Sequence, residues 1–243
     1  MDQHGKHRLL VRLAASLVLM IWGGAALASC RLALALALDV SASVSAAEYD
    51  LQRLGLAAAL DAPEVRHAIL EGAPGYVTLA VYEWSGNYQQ KLHLDWTALR
   101  SNADIDRAVL TLGQMQRSHD NFPTGIGQAL AYGASVMKRA PRCDRRVIDV
   151  SGDGINNNGY GPAIAYRHFP LDDVVVNGLV VLGDDPEVLS FYYREVLRGP
   201  GAFLETANGF DDFRAAMTRK LIREVNDLMV GQAETGTASG APG

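Results

Sequence analysis

Arg31 to Val40 reads RLALALALDV, with Leu32, Leu34, Leu36 and Leu38 at alternate positions and Ala33, Ala35 and Ala37 between them. In an extended chain alternate side chains face opposite ways, so both faces of this segment are apolar. A strand of that kind lies inside a sheet with helices over both faces, which confines the chain to α/β architectures. The run ends in Asp39-x-Ser41-x-Ser43. Spacing by two turns one carboxylate and two hydroxyls toward a common point, at the strand end where open α/β sheets bind ligands. Oxygen donors with few carboxylates suit Mg²⁺ or another hard divalent ion.

The remaining pattern alternates strands with helices. Ser45-Ala-Ala-Glu48 is a capping box opening a helix to about Leu60, and Asp61-Ala-Pro-Glu64 starts a shorter one through Leu70. Gly75 to Ser85 predicts a strand, and Gln89 to Trp96 its antiparallel partner across Gly86-Asn87. Asn102 to Arg117 is helical in period. Asn121-Phe-Pro-Thr124-Gly-Ile-Gly127 then feeds a helix from Gln128 to about Arg139. Arg145 to Val150 is a strand ending in Ser151-Gly-Asp153-Gly154. A turn rich in asparagine and a short helix from Pro162 to His168 follow. Val174 to Leu182 is a buried strand, Pro186 to Leu197 a helix, Ala202 to Glu205 a short strand, and Phe210 to Val230 a long amphipathic helix. The fold class this predicts is a doubly wound α/β sheet, mostly parallel, with one antiparallel edge strand. No internal repeat or second domain is evident. Residues 29–230 form the predicted domain, and 231–243, rich in Gly, Ala, Ser and Thr, the predicted disordered tail.

Lys6, Arg8 and Arg12 precede the apolar stretch Leu13 to Ala28, which closes with Ala26-Leu27-Ala28. Basic, then apolar, then small is the layout of a secretory signal peptide over 1–28, with a periplasmic or secreted product and no membrane span after cleavage. An uncleaved anchor is the rival reading. Export permits a disulfide, and the two cysteines, Cys30 and Cys143, each stand just ahead of a strand-like run. If those strands are parallel neighbours, the cysteines lie side by side at the edge opposite Asp39 and Asp153. Leu27-Ala28-Ser29-Cys30 offers the alternative of a lipoprotein processing site, with Cys30 lipidated. The formal charge of −5 and the lack of a basic stripe with interleaved aromatics exclude nucleic acid as a partner. His67, His93, His119 and His168 share no metal-ligand spacing and read as surface or packing residues.

Asp39, Ser41 and Ser43 after the first strand, Thr124 in PTGIG and Asp153 in SGDG together resemble the metal-ion-dependent adhesion site (MIDAS) of von Willebrand factor A (VWA) domains. The resemblance covers about residues 31–230, with all five ligand positions in order. More narrowly, LALDVSASV, EWSG, RVIDVSGDGINNNG and RGPGAF look like an exported bacterial group of VWA-like proteins, domain-of-unknown-function family 1194. The wider resemblance implies a divalent cation, Mg²⁺ first and Mn²⁺ or Ca²⁺ as alternatives, held by the hydroxyls and by Asp39 and Asp153 largely through water. A cation held by neutral oxygens keeps its charge and favours an incoming Asp or Glu carboxylate of a protein partner.

Each residue also has a plainer role to set beside this one. Ser45 is read as the helix cap, Thr124 could cap the helix after it, and Asp153-Gly154 could be an ordinary turn. Asp149, polar inside a strand, calls for a buried partner such as an arginine. Asn156 to Asn158 reads as a tight turn near the site, and Glu83-Trp84 as core packing. An enzymatic reading also exists. Gly152-Asp-Gly-Ile-Asn-Asn157 resembles the GDGxND motif of haloacid-dehalogenase-type phosphohydrolases, with Asp39 as nucleophile. Ser41 departs from that family, which places a second Asp there. No GxSxG, HExxH, P-loop or Cys/His zinc spacing occurs. A MIDAS-like site that has lost its metal, leaving a scaffold, is the third reading.

Overall fold

The computed structural model describes residues 29–183 and 185–226. The expectations for 1–28 and 231–243 lie outside the described residues. Among the described residues six strands form one sheet: β1 (Cys30–Asp39), β2 (Tyr76–Trp84), β3 (Gln90–Leu99), β4 (Cys143–Gly152), β5 (Val175–Leu182) and β6 (Leu204–Asn208), in the order β3-β2-β1-β4-β5-β6. Only the edge strand β3 runs antiparallel to its neighbour, β2. The doubly wound, mostly parallel α/β sheet predicted from the sequence is the observed fold.

The two faces of β1 serve two cores. Its leucines pack under α1 (Ala46–Asp61), α3 (Asn102–Gly113) and α7 (Phe213–Asn226). Ala35 and Ala37 face α4 (Ile126–Met137), α5 (Pro162–His168) and the segment from α6 (Val188–Phe191) into a π-helical turn, Tyr192–Val196. Burying each of the four leucines contributes roughly 2 kcal/mol, and the alanines let α4 lie close. Gly133 in α4 is needed there: a Cβ would sit 2.6 Å from the Tyr82 hydroxyl.

Between Asp61 and β2, α2 (Pro63–His67) widens into a π-helical turn, Ala68–Gly72, whose carbonyls are bound by the buried guanidinium of Arg31. Ser45 and Glu48 form the expected capping box at the start of α1. Cys30 stands directly opposite Cys143 in the β1–β4 register, with Cα atoms 4.5 Å apart, and the two form a disulfide. A sulfur so bonded has no thiol left to carry a lipid.

The departures from expectation have physical causes. β3 continues to Leu99 because Leu99 pairs with Val77 and is buried. α3 stops at Gly113, short of Arg117, because Arg117 and Ser118 are drawn into bonds with the site loop and Glu83. The last strand begins at Leu204, since Phe203 N–H is already taken by Asn177 Oδ1 and pairing with β5 starts at Leu204. The helix expected over 186–197 is a single α turn followed by the π turn, and the final helix opens with a 3₁₀ turn, Phe210–Asp212. Asp149 is fully buried as expected, but its partner is a lysine rather than an arginine. Lys220 Nζ lies 3.2 Å from both Asp149 Oδ1 and Glu224 Oε1, and Asn177 donates to the latter.

Candidate metal centre

Three loops at the carboxyl edge of the sheet bring the five expected residues together. Asp39 ends β1 fully buried, and its Oδ1 accepts a 2.7 Å hydrogen bond from Ser41 N–H. The Ser41 and Ser43 hydroxyls are 3.0 Å apart, and Thr124 Oγ1 donates to Ser41 Oγ at 3.3 Å. Ser43 Oγ donates to Asp153 Oδ1 at 2.8 Å. Three hydroxyls and two carboxylates thus form one connected group, with Asp39 and Ser41 sealed below and Ser43 open to solvent. Ser45 is left to cap α1.

Each loop is held by neighbours that the sequence did not identify. Arg117 Nη2 donates to the carbonyls of Val40, Ser41 and Val44, binding the loop after β1 as a single clamp. Gln52 donates to the Asp39 carbonyl. Thr124 is fixed by Asn157, whose Oδ1 accepts Thr124 N–H and whose own N–H donates to Thr124 O. Asn156 Oδ1 accepts from Gly127 N–H at the start of α4. The asparagine run expected to be a simple turn therefore ties the Asp153 loop to the Thr124 loop. Nothing in the run Asn156-Asn157-Asn158 marks which amide reaches across.

Glu83 and Trp84 are wholly buried, as the packing reading expected. Glu83 also supports the site from behind. It accepts from Tyr49 Oη at 2.7 Å and Ser118 N–H at 2.8 Å, with His93 Nε2 2.9 Å away. Burial alone would raise its pKa, but the bonds from His93, Ser118 and Tyr49 outweigh it and hold the carboxyl below the usual range. His93 is thus a buried partner, while His119 packs edge-on against Phe122 at the rim.

Asp39 is in the opposite state. Burial, then the neighbouring charge of Asp153, push its pKa up to about 8 against the pull of Ser41 and of Arg117. Its Oδ2 is buried with no hydrogen-bond partner among the described residues. Burial and Asp153 together outweigh Arg117 at this carboxyl, so its negative charge is not fully balanced. The set of two carboxylates and three neutral hydroxyls fits a hard divalent ion. Among the described residues no group of three or more His, Cys, Asp and Glu is placed to hold a metal ion, so a cation here would have to rest on the hydroxyls as well as on the two aspartates. Beside the group runs a groove of about 360 Å³ lined by Ser43, Thr124, Asp153, Ile155, Leu182 and Phe210.

A family model described as "Protein of unknown function (DUF1194)" matches residues 29–229. The chain belongs to the DUF1194 family. No curated protein matches it in sequence. Among solved structures, proximal thread matrix protein 1 from the mussel byssus is similar at 13% identity and TM-score 0.61, over 82% of this chain and 48% of that one. The same byssus protein is also known with a zinc-occupied MIDAS motif. The pilus adhesin SpaC from Lactobacillus rhamnosus GG is similar at 13% identity and TM-score 0.58, over 82% and 30% of the two chains. A von Willebrand factor type A protein from Catenulispora acidiphila is similar at 15% and TM-score 0.57, over 83% and 43%. The DUF1194 chain spans about half the length of the byssus protein. At these identities what is shared is the VWA fold.

Proposed function

We propose that this DUF1194 domain is an exported binding module that holds a protein partner by way of a divalent cation, Mg²⁺ first and Mn²⁺ or Ca²⁺ as alternatives. The observation that carries the reading is the joined group of Ser41, Ser43, Thr124, Asp39 and Asp153, three hydroxyls and two carboxylates linked at one edge of the sheet. The three hydroxyls would hold the cation, and the two aspartates would balance its charge. A cation so held supplies a Lewis-acidic position for a carboxylate of the partner. Ser41 and Thr124 are neutral, so the groups in direct contact would add no negative charge of their own and the cation would keep part of its Lewis acidity. The byssus protein's zinc-occupied MIDAS motif and the adhesin SpaC's shared fold support the reading. Residues 29–230 would be the exported domain, following a signal peptide over 1–28 and followed by a tail over 231–243. The disulfide supports an oxidising, periplasmic or extracellular setting. Among the described residues no helix is long and apolar enough to cross a membrane.

Phosphoryl transfer fits the geometry less well. A nucleophilic Asp39 would have to meet phosphorus, yet it is wholly buried with Oδ1 held by Ser41 N–H. Calorimetric titration with Mg²⁺ tests the binding reading directly. Wild type should bind, whereas Asp39→Ala and Thr124→Ala should lose binding while keeping their circular dichroism. Partner capture from an envelope fraction should be abolished by chelator and by both variants. Capture that survives chelation, or turnover of an aryl phosphate lost on Asp39→Asn, would refute the proposal.

A further inference from the structure

Gly152 ends β4 beside Asp39, since Leu38 and Ser151 are register partners in the preceding rung. A Cβ on Gly152 would lie 2.7 Å from the Tyr192 hydroxyl and 2.9 Å from Asp39 Oδ2. The two oxygens therefore border the same small space, kept open by the absence of a side chain. Both residues are fully buried, and among the described residues neither oxygen has a hydrogen-bond partner. They are chemically complementary. A phenol offers one O–H donor, and a carboxyl group keeps an oxygen that can accept it whether or not the group is ionised. Leaving a buried donor and a buried acceptor unpaired is unfavourable for each, and one water between them resolves both.

Tyr192 enters from the helix junction where α6 gives way to the π-helical turn Tyr192–Val196. Wide turns of this kind are frequent at functional sites, where they set the aim of one side chain. Burial first, and then the nearby carboxylates of Asp39, Asp153 and Asp149, hold the phenol protonated, which keeps it a donor.

We propose that Tyr192 is a positioning residue of the metal centre, its hydroxyl bonded to Asp39 Oδ2 through one water in the gap at Gly152. With Oδ1 on Ser41 N–H and Oδ2 on the water held by Tyr192, the carboxylate has one orientation. The proposal rests on the metal-binding reading above and adds to it a residue from the helical segment that covers the alanine face of β1. It also explains the glycine: any Cβ at 152 would fill that gap.

Tyr192→Phe removes only the oxygen. Mg²⁺ affinity by calorimetry should fall about tenfold, the lower range for residues that orient ligands, and the metal-free melting temperature should fall with the loss of one buried hydrogen bond. Gly152→Ala should weaken binding in both backgrounds, because its Cβ would meet Asp39 Oδ2 whether or not the Tyr192 hydroxyl is present. A purely structural role is distinguished by 3-fluorotyrosine placed at position 192. Its ¹⁹F resonance in metal-free protein should move on Asp39→Asn and again, in wild type, on adding Mg²⁺. Tyr192→Phe binding Mg²⁺ within twofold of wild type, or a fluorine resonance blind to Asp39→Asn, would overturn the proposal. A wild type that binds no Mg²⁺ overturns the function proposed above and the positioning role with it. The fluorine shift in metal-free protein then still decides whether the hydrogen bond exists.

Discussion

Replacing Asp39 by Asn removes a charge that the fold buries beside Asp153, and the pH dependence of stability is where the effect is read. The Asp39 pKa is pushed up to about 8, first by burial and then by Asp153, against about 3.9 in an unfolded chain. Between those values the folded protein keeps a proton that the unfolded chain has released. Stability is therefore fullest below about pH 4 and falls as pH rises, by about 1.4 kcal/mol per unit. Up to pH 7 the loss is on the order of 4 kcal/mol, and above pH 8 the slope vanishes. Two other buried carboxyls overlap this window. Asp149 is raised to about 6, by burial first and with Lys220 opposing, and adds a slope of the same sign. Glu83, held low, contributes one of opposite sign. Urea denaturation of wild type and Asp39→Asn at each pH cancels both, leaving the Asp39 contribution as the difference.

In chelator that difference should decline steadily from pH 4 to pH 8, turning Asp39→Asn into the more stable protein near neutrality. With excess Mg²⁺ the ionised carboxylate is compensated and the wild-type slope should flatten. Saturation at a hundred times Kd adds about 2.7 kcal/mol, and Asp39→Asn should gain nothing. A difference that is flat with pH in chelator would refute the buried, uncompensated carboxylate. A slope identical in chelator and in Mg²⁺ would refute the compensation of Asp39 by a cation.

Removing the disulfide as Cys30→Ala with Cys143→Ala opens a loop of 113 residues and should cost about 4–5 kcal/mol by urea denaturation; an unchanged midpoint would contradict it. Lys220→Met leaves Asp149 and Glu224 buried without their shared cation and should cost about 3–5 kcal/mol at pH 7, part of it regained on adding Asp149→Asn. Arg117→Met frees three carbonyls of the loop after β1 and should weaken Mg²⁺ binding about tenfold in calorimetry. Binding equal to wild type would show that the loop holds its shape without the clamp.

The sheet and the five site residues were legible because both depend on period-two spacing and on strand ends. Leu32 to Leu38 could belong only to a strand covered on both faces, and Asp39, Ser41, Ser43, Thr124 and Asp153 all follow strands or feed helices at one edge. The supporting residues were not legible, because their roles are set by reach across the fold. Asn157 looks like its two neighbours in sequence, yet it alone pairs with Thr124 through both backbone and side chain. Arg117 completes the helical period of α3 but is worth more outside it, where it satisfies three carbonyls. Asp149 announced a buried partner without revealing its type, since Lys220 sits on a helix seventy-one residues later and is enclosed by Phe203 and Glu224.

β1 and β4 join these levels. Their register runs without a shift from Cys30 opposite Cys143 to Leu38 opposite Ser151. One end carries the covalent bond and the other sets Gly152 and Asp153 beside Asp39. A slip of one residue would turn Asp39 to the other face, away from Tyr192 and out of line with Asp153. The apolar rungs between, with Leu34 opposite Val147 and Ala35 opposite Ile148, oppose that slip from both cores. The disulfide acts chiefly on the unfolded chain, by shortening what it can explore. The register of the buried strands is what holds the site in shape, so the alternating leucines and alanines determine the position of Asp39 as well as the fold.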